Sequence, residues 1–145
     1  MIALIGVGNE FRCDDGIGPA VIASLRDQVP AGVTLTITDG EPTQLLDTWA
    51  GADLAVIIDA VMCEPSVPGR IHRTEAVPQP AAMASTHGLG IPDAVRLARA
   101  LDQTPQRLVI YAVEAADLGF GHGLTPAVAA ALPNVTRAVL AEIRS

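Results

Sequence analysis

Short apolar runs that end in a glycine or an acidic residue recur along this chain, and stretches of helical spacing separate them. Runs of this length are typical of buried strands, whereas apolar positions repeated every three or four residues are typical of helices. The predicted strands cover residues 2–7, 33–38, 54–58 and 107–113, with a more polar edge strand at 70–74. Strands that alternate with helices predict a three-layer α/β domain, in which a mainly parallel sheet has helices on both faces.

Helices are predicted over residues 17–29, 42–49, 91–101 and 125–143. Pro19 falls in the first turn of the first helix, where a missing N–H costs little. Thr125 and Pro126 form a suitable N-cap and first-residue pair for the last helix. Pro133 is expected to kink that helix or to mark its true beginning.

Length and charge narrow the class of protein. With 145 residues the chain is expected to form one domain over residues 1–145, and we expect a monomer. A net charge of −7 without a Lys/Arg cluster argues against nucleic acid as a partner. The start MIALIGVGNEF lacks the basic region of a targeting peptide, and no stretch reaches the roughly 18 apolar residues of a membrane span. We therefore expect a cytoplasmic protein with free thiols and no membrane contact.

Acidic residues follow the predicted strands. Asp14 and Asp15 come after the first strand, Asp39 after the second, Asp59 after the third and Glu114 after the last. The carboxyl ends of parallel strands share one edge of a sheet, where such folds bind ligands, so several of these acids are expected to converge. In the alternative interpretation Asp14 or Asp15 only caps the first helix. A buried strand, however, brings Asp59 directly to the edge, where a cation or hydrogen-bond donors must offset its desolvation.

His87 lies in the small-residue segment Ser-Thr-His-Gly-Leu-Gly ahead of a predicted helix. An isolated loop histidine is more often a bystander than a ligand. Together with two acids, an accessible imidazole makes a site for a divalent ion such as Zn²⁺ or Ni²⁺ chemically reasonable. Three protein ligands would leave positions open for water or substrate, as a metal that takes part in chemistry requires.

Five sequence blocks closely resemble those of the hydrogenase maturation proteases, in order from residue 3 to beyond residue 125. A single Gly-x-Gly-Asn would be weak, but five blocks in register are a specific signal. They are Gly6-Val7-Gly8-Asn9 with Asp14-Asp15-Gly16-Ile17-Gly18, Asp39-Gly40, Ile58-Asp59-Ala60, His87-Gly88-Leu89 and His122-Gly123-Leu124-Thr125-Pro126.

The resemblance implies a five-stranded twisted sheet between helices and a metal-dependent endopeptidase activity. The implied substrate is a [NiFe]-hydrogenase large-subunit precursor, which loses its C-terminal extension after nickel insertion. By position in the motifs, Asp15, Asp59 and His87 are the implied ligands of the nickel, which arrives with the precursor. Zn²⁺ or Cd²⁺ is expected to take the same site in crystals. Asp39 is the implied general base or orienting group, so the implied catalytic residues are Asp15, Asp39 and Asp59.

The remaining polar residues receive more modest interpretations. The thiol of Cys13 or of Cys63 could lie near the site, but each cysteine is expected to be a small, semi-buried side chain. His122 is expected to shape its loop or contact substrate, and the histidine of the edge strand is expected to be incidental. The acids Glu10 and Glu114 are expected to be solvated loop residues, with lining of the cleft as the alternative. The residues with these modest interpretations are Glu10, Cys13, Cys63, His72, Glu114 and His122.

Other functions remain open at this point. Gly6-x-Gly8 after a strand and Asp39 after the next imitate a dinucleotide-binding fingerprint, but Phe11 replaces its third glycine and the loop acids would repel a pyrophosphate. A cysteine hydrolase would use Cys13 and His87. A non-catalytic metal-binding chaperone of hydrogenase assembly would use the same three ligands without proteolysis. The absent H-E-x-x-H motif excludes only the common zincin arrangement.

Overall fold

A computed structural model describes residues 1–75 and 90–144 of the chain. Within these residues five strands form one sheet, in the order β2-β1-β3-β5-β4. The strands are β1 Ile2–Val7, β2 Val33–Thr38, β3 Leu54–Val61, β4 Ile71–Glu75 and β5 Arg107–Glu114. The helices are α1 Ile17–Leu25, α2 Pro42–Trp49, α3 Gly90–Ala100 and α4 Pro126–Arg144, and a short 3₁₀ turn, Cys13–Gly16, precedes α1.

The sheet lies between two layers of helices, as predicted. Strands β2, β1, β3 and β5 run parallel, and β4 pairs antiparallel with β5 at one edge. Because side chains alternate along a strand, Leu4 of β1 packs with α1 and α4 on one face, whereas Ala3 and Ile5 pack with α2 and α3 on the other. Both faces are therefore apolar and covered, which confirms the three-layer α/β architecture.

Two strands extend beyond their predicted ends. β3 continues through Asp59 to Val61, and β5 includes Glu114 as its last residue. The two strands pair along this extension, with Asp59 opposite Ala112 and Val61 opposite Glu114. Both acids therefore lie within paired strands and not in the loops that follow them, because mutual pairing decides where these strands stop.

The first helix approaches the sheet very closely at two glycines. A Cβ on Gly18 would lie 2.6 Å from the carbonyl oxygens of Val7 and Ile58, and one on Gly6 would lie 2.5 Å from the carbonyl oxygen of Gly18. A side chain at either position would force α1 away from β1 and β3. This contact fixes the start of α1, and with it the loop that carries Asp14 and Asp15, against the centre of the sheet.

The last helix is continuous through Pro133, which therefore does not mark its beginning. At its far end Glu142 accepts hydrogen bonds from Arg73 Nε at 2.7 Å and from the Tyr111 hydroxyl at 2.8 Å. These contacts lower the pKa of Glu142, with the bond from Arg73 as the largest cause. They join α4 to β4 and β5.

None of the helices in the described ranges combines the length and apolar character needed to cross a bilayer.

Candidate active site

Three of the predicted acids meet at the carboxyl edge of the sheet. Asp15, Asp39 and Asp59 line one cavity of about 130 Å³, together with Arg12 among other residues. Asp15 follows β1, Asp39 follows β2 and Asp59 lies near the end of β3, and β1 pairs with both of the other strands. Three adjacent parallel strands thus deliver three carboxylates to one place, as the order of strands and acids in the sequence predicted.

Asp15 reaches this cavity because the loop 8–15 folds back on the end of β1. Gly8 has a φ of +144°, and a Cβ there would lie only 1.9 Å from the carbonyl oxygen of Asp15. The backbone N–H of Asn9 donates to Asp15 Oδ2 at 2.9 Å. The Gly-x-Gly-Asn block therefore permits the close approach of Asp15 and orients its carboxylate.

Asp59 is only 5% exposed, and its Oδ1 accepts a hydrogen bond from the backbone N–H of Ala60 at 2.8 Å. Desolvation by burial, followed by repulsion from the nearby Asp15 carboxylate, raises the pKa of Asp59 well above its ordinary range. The Ala60 bond acts in the opposite direction but is the smaller effect. The cavity thus contains a carboxyl group whose charged form is costly in the absence of a cation.

Asp39 differs from the other two acids in its exposure. It follows β2 directly, is exposed to solvent, and its Oδ1 accepts from the backbone N–H of Glu41 at 3.1 Å. The carboxylate is thus accessible to water at the rim of the cavity.

His87, the third predicted metal ligand, lies outside the described residues. The ligand set Asp15, Asp59 and His87 therefore stays a prediction, of which the structure brings the two carboxylates to one cavity.

Asp14, adjacent to Asp15 in sequence, has a different environment. It is fully buried and accepts hydrogen bonds from the backbone N–H groups of Ala116 at 2.8 Å, Asp117 at 3.1 Å and Thr125 at 2.7 Å. The Thr125 hydroxyl donates to the same carboxylate. The N-cap of α1 is Gly16, without a side-chain capping bond, so the helix-capping interpretation of these acids is wrong. Asp14 instead holds the segment between β5 and α4 against the loop after β1.

Arg12 is a cavity residue that the sequence interpretation missed. It lines the same cavity as the three acids, and its Nε donates to the carbonyl oxygen of Leu118 at 3.1 Å. In the sequence, the feature that points to a role for Arg12 is its position between Phe11 and Cys13, inside the loop that carries Asp15. A single arginine among acids does not form a basic cluster, so the charge pattern of the sequence gives no sign of its role.

Cys13 lines a separate groove with Glu10 and His122, outside the acidic cavity. Desolvation, followed by the charges of Asp117 and Asp14, raises the pKa of Cys13. A raised pKa disfavours the thiolate that nucleophilic catalysis requires, which argues against the cysteine hydrolase. Both cysteines are free, as predicted, and Glu10 is exposed, as predicted. The ring of His122 contacts that of Phe11, with 5.7 Å between their centroids.

The expectations for Glu114 and His72 are wrong. Glu114 is 2% exposed, and its carboxylate contacts His72 Nε2 at 2.6 Å and the backbone N–H of Val67 at 2.8 Å. The Val67 bond, followed by the His72 bond, lowers the pKa of Glu114. The acid is thus buried and paired, and the histidine of the edge strand is its partner.

Known proteins of similar sequence and structure share one description. The model of the hydrogenase maturation protease family, HycI, matches residues 20–142. The hydrogenase 2 maturation protease of Escherichia coli K12 is 31% identical over 148 residues, which cover 99% of this chain and 90% of that protein.

Solved structures agree with these sequence matches. The hydrogenase maturating endopeptidase HybD from E. coli superposes with a TM-score of 0.84 at 29% identity, covering 99% of this chain and 91% of that one. A [NiFe] hydrogenase maturation protease HybD from Thermococcus kodakarensis gives a TM-score of 0.77 over 95% of both chains, and at 23% identity it shows the common fold. With a family match over most of its length, a relative above 30% identity and the same five-stranded fold, the chain belongs to the hydrogenase maturation proteases, a family of endopeptidases.

Proposed function

We propose that this protein removes the C-terminal extension of a [NiFe]-hydrogenase large-subunit precursor after nickel has been inserted. In this proposal Asp15, Asp59 and His87 recognise the nickel, which is part of the substrate and not a resident cofactor. Zn²⁺ or Cd²⁺ would occupy the same ligands in crystals. The reaction would take place in the cytoplasm, with the protein acting as a monomer.

The observation that carries the proposal is the meeting of Asp15, Asp39 and Asp59 in one cavity at the carboxyl edge of the sheet. Carboxylate oxygens are suitable ligands for a borderline divalent ion when an imidazole completes the set. The raised pKa of Asp59, caused by burial and by Asp15, is consistent with a position prepared for a cation. Membership of an endopeptidase family gives the reaction class.

The roles proposed for Asp15, Asp39 and Asp59 follow from their different exposure to solvent. Asp15 and Asp59 hold the nickel-bearing end of the precursor, which places the scissile peptide at the rim of the cavity. Asp39, which is exposed there, accepts a proton from the attacking water or orients that water. The water oxygen then adds to the peptide carbonyl carbon. The carbon–nitrogen bond breaks, and the departing amine takes up the proton that the attacking water has lost.

Mass spectrometry of the large subunit tests the activity directly. Nickel-loaded precursor is incubated with and without the protein, and the mass of the large subunit is measured. We expect a loss of mass equal to one C-terminal peptide only when the protein is present. An uncut precursor in both samples would favour a non-catalytic assembly chaperone, which would bind the precursor and leave its mass unchanged. Asp39→Asn should retain binding and lose cleavage, which separates catalysis from recognition.

A further inference from the structure

A second group of possible metal ligands lies at the ends of three strands. Cys63 follows β3, His72 belongs to β4, and Glu114 ends β5. One ligand atom from each residue lies within 4.8 Å of the other two. Among the residues that the structure describes, this is the one group of three or more histidine, cysteine and acidic side chains with such spacing.

The carboxylate of this group is already held in place. Glu114 is 2% exposed, and its Oε1 accepts from the backbone N–H of Val67 at 2.8 Å, while Oε2 faces His72 Nε2 at 2.6 Å. A hydrogen bond to the non-ligating oxygen fixes the direction of the other oxygen, which is how outer partners orient metal ligands. The site therefore contains one rigid anionic ligand with an imidazole beside it.

The group is also accessible from solvent. The His72 side chain is 46% exposed and that of Arg70, whose Nε lies 3.5 Å from Glu114 Oε2, is 56% exposed. An exposed arginine can move into solvent when a divalent ion replaces it beside the carboxylate. A path for an ion therefore exists without any opening of the core.

The chemistry of the three ligands selects the ion. Sulfur, imidazole nitrogen and carboxylate oxygen together are typical of Zn²⁺, and three protein ligands leave one position for water. Burial, followed by the nearby Glu114 carboxylate, raises the pKa of the Cys63 thiol. Zn²⁺ would displace the thiol proton as the zinc–sulfur bond forms.

We propose that Cys63, His72 and Glu114 form a Zn²⁺ site separate from the cavity of Asp15, Asp39 and Asp59. An ion there joins the ends of β3, β4 and β5 and fixes the segment 62–70 between them. The proposal goes beyond the proteolytic function and does not rest on it, because neither its geometry nor its test involves the precursor.

Cobalt titration of the full chain tests the ligand set. Co²⁺ bound by a thiolate gives a near-ultraviolet charge-transfer absorption that oxygen and nitrogen ligands do not give. We expect this absorption in wild type, in the matched control Cys13→Ser, and in Asp59→Asn, with bleaching by one equivalent of Zn²⁺. Cys63→Ser should abolish it, and His72→Ala should weaken Co²⁺ binding by about 10- to 100-fold.

Far-ultraviolet circular dichroism checks that Cys63→Ser and His72→Ala remain folded, which their partly exposed positions allow. A second measurement, the melting temperature, should rise with added Zn²⁺ in wild type and in Cys13→Ser but not in Cys63→Ser. Absence of the charge-transfer absorption in wild type, or its persistence in Cys63→Ser, would overturn the proposal. Unchanged Co²⁺ affinity in His72→Ala would also overturn it.

Discussion

The buried carboxylates of Asp14 and Asp59 have different roles because different groups surround them. Asp14 is saturated with donors from the segment between β5 and α4, so its charge is compensated inside the fold. Within the described residues, Asp59 has one backbone donor and a neighbouring carboxylate, so its charge is compensated there to a smaller extent. The sequence Asp-Asp at 14 and 15 does not distinguish a structural acid from a cavity acid. That distinction depends on donors about a hundred positions further along the chain.

Replacing Asp59 by Asn should make the metal-free protein more stable at neutral pH. The folded state raises the pKa of Asp59, so it holds the proton more tightly than the unfolded state does. The protonated carboxyl group of Asp59 therefore stabilises the folded state fully below the ordinary aspartate pKa of 3.8. This contribution to the free energy of unfolding is lost as the pH rises through the folded-state pKa. Asparagine does not ionise and avoids that loss. We expect a melting temperature a few degrees higher at neutral pH in the presence of a chelator.

The pH dependence supplies the control for this prediction. The difference between Asp59→Asn and wild type should shrink as the pH falls toward the ordinary pKa of an aspartate. Asp39→Asn, at an exposed position, should leave the melting temperature unchanged at either pH. Equal melting of Asp59→Asn and wild type at neutral pH would contradict the stated electrostatics of the cavity.

Removing the Asp14 carboxylate should destabilise the fold. Asp14→Ala leaves the amides of Ala116, Asp117 and Thr125 without their common acceptor, which we expect to lower the free energy of unfolding by about 3 kcal/mol. Urea denaturation measures this loss. Asp47→Ala, on the exposed side of α2, is the matched control and should change little. A similar small change in both variants would show that Asp14 is not a structural anchor.

At the scale of elements, local patterns predicted which segments are helices and strands but not where every strand ends. The strand β1, the helix α2 and the edge position of β4 agree with the prediction. β3 and β5 extend farther because they pair with each other through Val61 and Glu114, which the local sequence does not specify. For the same reason the contact between His72 and Glu114 was missed, since it requires the antiparallel pairing of β4 with β5.

The packing of α1 on the sheet should depend strongly on Gly18. Gly18→Ala would place a methyl group 2.6 Å from two carbonyl oxygens, and we expect a loss of about 3 kcal/mol or failure to fold. Gly32→Ala is the comparison, because Gly32 has a φ of +91° but, apart from its chain neighbours, no described residue has an atom within 4 Å of its added Cβ. Its expected loss is about 1 kcal/mol. Equal losses in denaturant titrations would contradict the close contact of α1 with β1 and β3.

At the scale of the whole molecule, the sheet order explains why the site could be predicted in part. Acids at the carboxyl ends of parallel strands share an edge, and the order β2-β1-β3 places Asp39, Asp15 and Asp59 at that end of three neighbouring strands. Arg12 was not predicted, because its entry into the cavity depends on the path of a single loop. The roles of the three acids also depend on burial, which the order of strands does not determine.

We propose that Asp15 and Asp59 act together on nickel carried by the precursor. The most direct test measures the rates at which nickel-loaded and nickel-free precursor are cleaved. The enzymes compared are wild type, Asp15→Asn, Asp59→Asn and His87→Ala, and cleavage is detected by the gel shift of the large subunit. We expect wild type to cut only the nickel-loaded form and each variant to lose about 10- to 100-fold in rate. Asp59→Asn should do so while melting no lower than wild type, which excludes unfolding as the cause. Cleavage by Asp59→Asn at the wild-type rate, or equal cutting of nickel-free precursor, would contradict the account.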